Sequence, residues 1–234
     1  MLEMRNYLHQ ILALIVLATS SGNAFAADHP DCADGNSLVI LGASYAGSWN
    51  VQSIGNCAVV NAGVDGNQSF EMSERFARDV ASRAPEKVLV WGFINDIFRS
   101  DPSKIDEAKE RIKSSYVSMI GAARDADIDV ILATEVTMSD LAGFMNWIAS
   151  TAGRLLGKTS YQDMINGHVQ DVNTWLRSFA RSEGIPLLDF ERALAGDNGK
   201  RKSEFAVEDG SHLTTDAYSA LNKFTEDTLQ LAVK

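Results

Sequence analysis

The chain has 234 residues, 45% apolar and 22% charged, enough for one domain with a sizeable core. Its net charge is −10 and its pI about 4.8. That balance excludes nucleic acid as a partner, because phosphates call for a basic surface, and it excludes electrostatic attachment to anionic lipid.

The first segment reads as a targeting signal. Arg5 supplies a thin positive start, and Ile11 to Ala18 is an unbroken apolar run too short to cross a bilayer. Ala24-Phe25-Ala26 has the small-x-small pattern of a cleavage site. Cleavage after Ala26 divides the chain into a signal peptide, 1–26, and an exported domain, 27–234. The domain is expected in the periplasm or the medium, without stable membrane insertion. An uncleaved anchor is the alternative, and the short apolar run weighs against it.

The mature part keeps two cysteines, Cys32 and Cys57. An even count in an exported chain suggests a disulfide. Cys32 precedes the first strand and Cys57 the second, and neighbouring strands would bring them together. Two buried free thiols are the alternative.

The elements then alternate. Leu38 to Leu41 is an apolar, β-branched run that reads as a buried strand, broken at Gly42 and followed by Ala43-Ser44-Tyr45. Val59-Val60 leads a second strand ending at Asn61-Ala62-Gly63. Ser69 to Ala84 has helical spacing and stops at Pro85. Lys87 to Trp91 is a third strand. Asp101-Pro102 starts a helix that runs through Ile112 to Ala123, with aspartate as N-cap and proline in the first turn. Ile128 to Thr134 is a fourth strand. A helix through Ile165 and Phe179 ends at Gly184, and Pro186 to Phe190 is a fifth strand. Thr214 or Thr215 opens the terminal helix, which runs to Leu231. This βαβα order predicts one three-layer α/β/α domain with a five-stranded parallel sheet, order 2-1-3-4-5. Met138 to Ser160 is long for a connection. It reads as a cap over a cleft, as an extra helix on the core, or as a contact for a partner or membrane.

Chemistry concentrates beyond the carboxyl ends of these strands, where ligands bind in such sheets. Ser44 follows strand one. Gly63 follows strand two, where a glycine lets a backbone N–H approach a substrate closely. Asn95 follows strand three and can offer its amide to a developing oxyanion. Asp209 and His212 follow strand five, and a turn at Gly210-Ser211 can fold the carboxylate onto the imidazole. Imidazoles titrate near ~6.5 when unperturbed, so such a residue serves as a base at neutral pH. Taken singly, each feature has a plain alternative: a Ser/Gly turn, a glycine turn, a capping Asn-Asp pair, or a surface turn. His29 and His168 lack a comparable setting.

Together, Leu41-Gly42-Ala43-Ser44-Tyr45, Asn61-Ala62-Gly63, Phe93-Ile94-Asn95-Asp96 and Asp209-Gly210-Ser211-His212 resemble the ordered blocks of the SGNH (GDSL) hydrolase superfamily. The resemblance implies a flavodoxin-like fold. It makes Ser44 the nucleophile, His212 the base and Asp209 its orienting acid. It assigns the oxyanion hole to the Ser44 and Gly63 amides and the Asn95 side chain. Two departures stand out. Ala43 replaces the usual aspartate before the serine. Phe93 replaces the usual glycine two residues before the asparagine, and its ring is expected to reshape the acyl pocket. The bulk of Tyr45 and Phe93 also points to small or medium acyl groups.

Gly42 to Gly47 lacks the following lysine of a phosphate loop. Gly47 comes one residue late for the G-x-S-x-G elbow. No histidine pair or cysteine–histidine cluster suggests a metal, and no cofactor is expected. The expected function is hydrolysis of carboxylic esters of lipids, small molecules or O-acetylated glycans. Transfer of an acyl group to a saccharide and non-catalytic glycan binding on the same scaffold are the alternatives.

Overall fold

In a computed structural model the described residues are Cys32, 36–139 and 161–229. The expected signal peptide, His29 and most of the Met138 to Ser160 segment lie outside them.

Six strands form one sheet. They are β1 (Ser37–Gly42), β2 (Ser53–Ile54), β3 (Cys57–Gly63), β4 (Lys87–Trp91), β5 (Asp129–Ala133) and β6 (Leu187–Leu188). Their order is β2-β3-β1-β4-β5-β6. Helices cover both sides of it. Five strands are parallel and follow the expected order. The sixth, β2, pairs antiparallel with β3 and makes the sheet mixed. Gly55, at φ 61°, allows the tight turn between them. A two-residue strand carries no period, which is why the sequence does not announce it.

Leu38 to Leu41 and all of β4 are buried, as central parallel strands must be when helices cover both faces. The disulfide between Cys32 and Cys57 is formed and ties the N-terminal arm to the start of β3, with Cα atoms 5.0 Å apart. Under the carboxyl end of the sheet lies an aromatic layer. Trp91 meets Phe190 at 4.8 Å, Tyr45 at 5.8 Å and Trp49 at 5.9 Å between ring centroids. The Trp49 indole donates to Asn222 Oδ1 at 2.7 Å.

The helices are α1 (Ser44–Gly47), α2 (Ser69–Glu74), α3 (Phe76–Asp79), α4 (Ile94–Phe98), α5 (Ile105–Asp125), α6 (Tyr161–Glu183), α7 (Phe190–Leu194) and α8 (Thr215–Leu229). The single helix expected over Ser69 to Ala84 is broken at Arg75 into α2 and α3. Arg75 turns inward there: Nη2 donates to Gly42 O at 2.9 Å, Nη1 to Ala62 O at 2.8 Å, and Nε to Asn67 Oδ1 at 2.7 Å. Those three bonds outweigh continuing the helix and tie the ends of β1 and β3 together. Asp101 caps its helix as expected, with its carboxylate accepting from the Ser103 N–H at 2.8 Å. The first turn after it is a 3-10 turn, and α5 follows.

Arg177 of α6 joins that helix to the end of β6. It donates to Asp189 from Nε at 2.9 Å and from Nη2 at 2.7 Å, and to Glu191 at 2.6 Å. Burial raises the Asp189 pKa, but Arg177 outweighs it and the net direction is down. A carboxyl lowered in the folded state stabilises the protein above its unfolded pKa of roughly 3.9. That contribution is lost as pH falls through the lower folded value. Asp189→Asn is expected to lower stability at neutral pH by about 1.5–3 kcal/mol. The deficit shrinks below about pH 4, where the wild-type carboxyl also protonates. Denaturant melts at both pH values check this.

Candidate active site

Strand register sets the site. Gly42 pairs with Gly63 on one side and with Trp91 on the other, so β1, β3 and β4 end at one level. Ser44 stands two residues past that level, as the first residue of α1. An N–H at a helix start has no partner inside the helix, so the Ser44 amide is one of the orphan donors. The Ser44 side chain is half-buried.

The ends meet because glycines allow it. A methyl on Gly42 would lie 2.2 Å from the Trp91 carbonyl oxygen, and one on Gly63 would lie 2.2 Å from the Gly47 nitrogen. Gly92 stands at φ 148° against the Ala43 backbone, a conformation that suits glycine.

Asp209 and His212 are joined. His212 Nδ1 lies 2.6 Å from Asp209 Oδ2, while Asp209 Oδ1 accepts from the Ser211 N–H at 2.7 Å and the His212 N–H at 2.8 Å. Burial pushes the Asp209 carboxyl up. Bonds from the His212 ring and from the two amides outweigh it, and the net direction is down. The carboxylate therefore stays charged and keeps Nδ1 engaged, which leaves Nε2 for other chemistry. The imidazole is exposed.

This turn adjoins Ser44 through Tyr45. The Tyr45 hydroxyl donates to Ser211 O at 2.8 Å, and its ring meets the His212 ring edge-on at 6.3 Å. Asn95 lies in the first turn of α4. Its amide donates to Asn67 O at 3.0 Å, which brings the loop after β4 to the loop after β3. Four of the five expected residues, Ser44, Asn95, Asp209 and His212, thus sit on neighbouring loops at one end of the sheet.

Gly63 lies at the same end, as the last residue of β3, but its amide is already engaged. Its N–H already donates to Asn61 Oδ1 at 2.9 Å. The Asn61 amide in turn donates to Ala46 O at 2.8 Å, holding the end of α1. The structure therefore does not leave the Gly63 amide open as an oxyanion donor. Its glycine is required instead by packing against Gly47. Three residues later, Gly66 stands at φ 74° in the turn closed by Asn67 N–H to Val64 O, next to the carbonyl that receives Asn95. The Gly66 N–H takes no acceptor among the described residues.

Phe93 and Tyr45 also differ from expectation. The Phe93 ring is fully buried and packs edge-on against Tyr116 at 6.2 Å. Tyr45 is buried with its hydroxyl engaged. Both rings belong to the core, so their bulk says nothing about acyl size.

Two buried acids support the site, and of these Glu135 has no counterpart in the sequence analysis. Glu135, just past β5, is fully buried. Its Oε2 accepts from the Phe93 and Ile94 amides at 2.8 and 3.1 Å, and so fixes the start of α4. Burial raises its pKa against those bonds. A lone acid after an apolar strand was its only signal. Asp96 is likewise buried and holds the start of α2 through the Ser69 N–H at 2.7 Å and the Ser69 hydroxyl at 2.9 Å.

The model of the GDSL-like Lipase/Acylhydrolase family matches residues 35–220, and the chain belongs to that family. A Bacillus subtilis (strain 168) relative, the uncharacterized lipoprotein YqeF, is 23% identical over 163 residues, covering 67% of this chain and 64% of the relative. The chain therefore spans somewhat less than two thirds of that relative's length. Among solved structures, Axe2, an acetylxylan esterase from Geobacillus stearothermophilus, superposes with a TM-score of 0.64 at 14% identity, over 85% of this chain and 95% of that one. A GDSL-like lipase from Bacteroides thetaiotaomicron VPI-5482 superposes with a TM-score of 0.60 at 17% identity, over 83% and 88%. These two likenesses establish the fold. Among the described residues no cluster of three or more His, Cys, Asp or Glu side chains could hold a metal.

Gly63→Ala is expected to destabilise the fold by about 1–3 kcal/mol, since backbone must move to admit the methyl. Gly121→Ala is the control. It lies within α5 with nothing within 4 Å of the added methyl, and should gain roughly 0.5–1 kcal/mol. Thermal unfolding of both variants measures the contrast.

Proposed function

We propose that this protein is an exported serine esterase that cleaves carboxylic esters through an acyl-enzyme on Ser44. The observation that carries the reading is the Asp209–His212 pair at 2.6 Å, on a turn bonded to the residue next to Ser44.

The Ser44 hydroxyl attacks the ester carbonyl while His212 Nε2 takes its proton. Asp209 holds Nδ1 and stabilises the imidazolium. The oxyanion forms against the Ser44 amide and the Asn95 side chain. We assign the third donor to the Gly66 amide in place of Gly63, because the Gly63 N–H is already satisfied by Asn61. His212 then returns the proton to the leaving alcohol. Water, activated by the same ring, releases the acid.

Export rests on the signal-like residues 1–26, the Cys32–Cys57 disulfide and the relative that is named a lipoprotein. No described helix is long and apolar enough to cross a membrane.

A fluorophosphonate probe is expected to label wild type and not Ser44→Ala. A series of chromogenic esters, run beside acetylated xylan, then ranks acyl chain and alcohol. Failure of folded wild type to label and to cleave any ester would refute the reading. His212→Ala is expected to lower kcat at least about 10³-fold with the fold intact. Asn95→Ala should lower kcat by about 10²–10³ and leave KM nearly unchanged, because its bond strengthens at the transition state. Steady-state kinetics on the best ester separate these outcomes.

A further inference from the structure

The turn that carries Asp209 and His212 is held from below by groups with no assigned role. Every backbone polar group from Gly210 to His212 has a partner. The Gly210 N–H donates to Val207 O at 2.9 Å, and His212 O accepts from Val207 N–H at 3.1 Å. The Ser211 and His212 amides go to Asp209. Ser211 O receives Tyr45. Gly210 O receives the Arg201 guanidinium, Nη2, at 2.6 Å, and the Ser139 N–H at 3.3 Å.

Arg201 makes this bond from inside the core. The residue is 3% exposed, and its Nε and Nη1 meet no hydrogen-bond partner among the described residues. Its backbone N–H is fixed by Thr137 Oγ1 at 2.9 Å. Burying a guanidinium with N–H groups unmet is costly, and an apolar side chain of similar volume would fill the space at less cost. The charge also faces two groups that set the rest of the site. Burial raises the Tyr45 phenol, and Arg201 acts against it. Burial raises Glu135 too, and Arg201 opposes that after the three amides that bond the carboxyl. Tyr45 follows Ser44 in the chain, and Glu135 fixes the start of the helix that carries Asn95.

We propose that Arg201 is a positioning residue: by gripping Gly210 O from inside the core, it sets where the Asp209–His212 pair stands relative to Ser44. The reaction it serves is the ester cleavage proposed above, and this assignment rests on that reading. A turn displaced by about 1 Å is enough to cost about 10²-fold in rate.

Two variants of the full chain test it, Arg201→Met and Arg201→Lys. Amide hydrogen exchange reads the turn at Ser211 and His212, with Val39 and Leu89 as core reporters. Kinetics on p-nitrophenyl acetate read kcat and KM. In Arg201→Met the two turn amides should exchange at least about tenfold faster while the core amides stay protected. The kcat should fall at least about tenfold with KM within about threefold. Arg201→Lys should fall between wild type and Arg201→Met in both readouts. If the core amides of Arg201→Met lose protection, that variant is set aside and Arg201→Lys alone decides, by the same two measures. A folded variant with unchanged turn exchange, or with unchanged kcat, overturns the proposal. If wild type itself cleaves no ester and takes no fluorophosphonate, the hydrolase reading fails, and turn exchange still decides whether Arg201 anchors Gly210.

Discussion

The carboxyl ends of β1, β3 and β4 stop at one level, and every chemical feature depends on how closely they can approach. Gly42 stands between Gly63 and Trp91 in the sheet. At Gly42 and Gly63 a single methyl would overlap neighbouring backbone, and at Gly92 it would press on Ala43. The absence of side chains there lets α1 sit directly on the end of β3, so Ser44 emerges at the rim and not a turn further out. Packing at crystal-like density leaves little slack to absorb such a change. Beneath these ends the aromatic layer of Tyr45, Trp49, Trp91 and Phe190 supplies a stiff floor.

Loops at a strand end lack a ladder of their own, and here buried polar side chains replace it. Arg75 takes the Gly42 and Ala62 carbonyls. Glu135 takes the Phe93 and Ile94 amides. Asp96 takes Ser69, and Arg201 takes Gly210. Each group fixes a loop that carries, or adjoins, a residue of the candidate site. Such contacts are stronger in a low-dielectric interior, where a buried N–H left without an acceptor is correspondingly costly. Donors fixed before substrate arrives need no reorganisation when charge develops, which is the condition for effective oxyanion stabilisation.

How much of this was legible follows from range. The apolar runs of β1, β4 and β5 and the Asp101-Pro102 helix start are local signals, and they were read correctly. Asp209 and His212 lie three apart, so their turn was legible too. β2 was not, because two residues hold no period. The break at Arg75 was not, because it is decided by carbonyls of two other strands. The choice of glycine for the proposed oxyanion hole is not legible in the sequence for a similar reason. Gly63 and Gly66 are both suitable in sequence, and only the Asn61 side chain, folded back onto the Gly63 N–H, distinguishes them. The positions of Phe93 and Tyr45 in the chain suit a pocket wall, and only their burial assigns them to the core.

By itself, the sequence determined the parallel α/β plan and the order in which a serine, an asparagine and an Asp-x-x-His reach the strand ends. Hydrophobic period and short-range turn chemistry act within a few residues and survive without a partner. The tertiary structure alone decided which glycine N–H stays unbonded, which way the aromatic rings turn, and that Arg75, Glu135 and Arg201 hold the loops. Those outcomes depend on backbone groups many residues away, whose demand for hydrogen bonds exists only once the chain has closed around them.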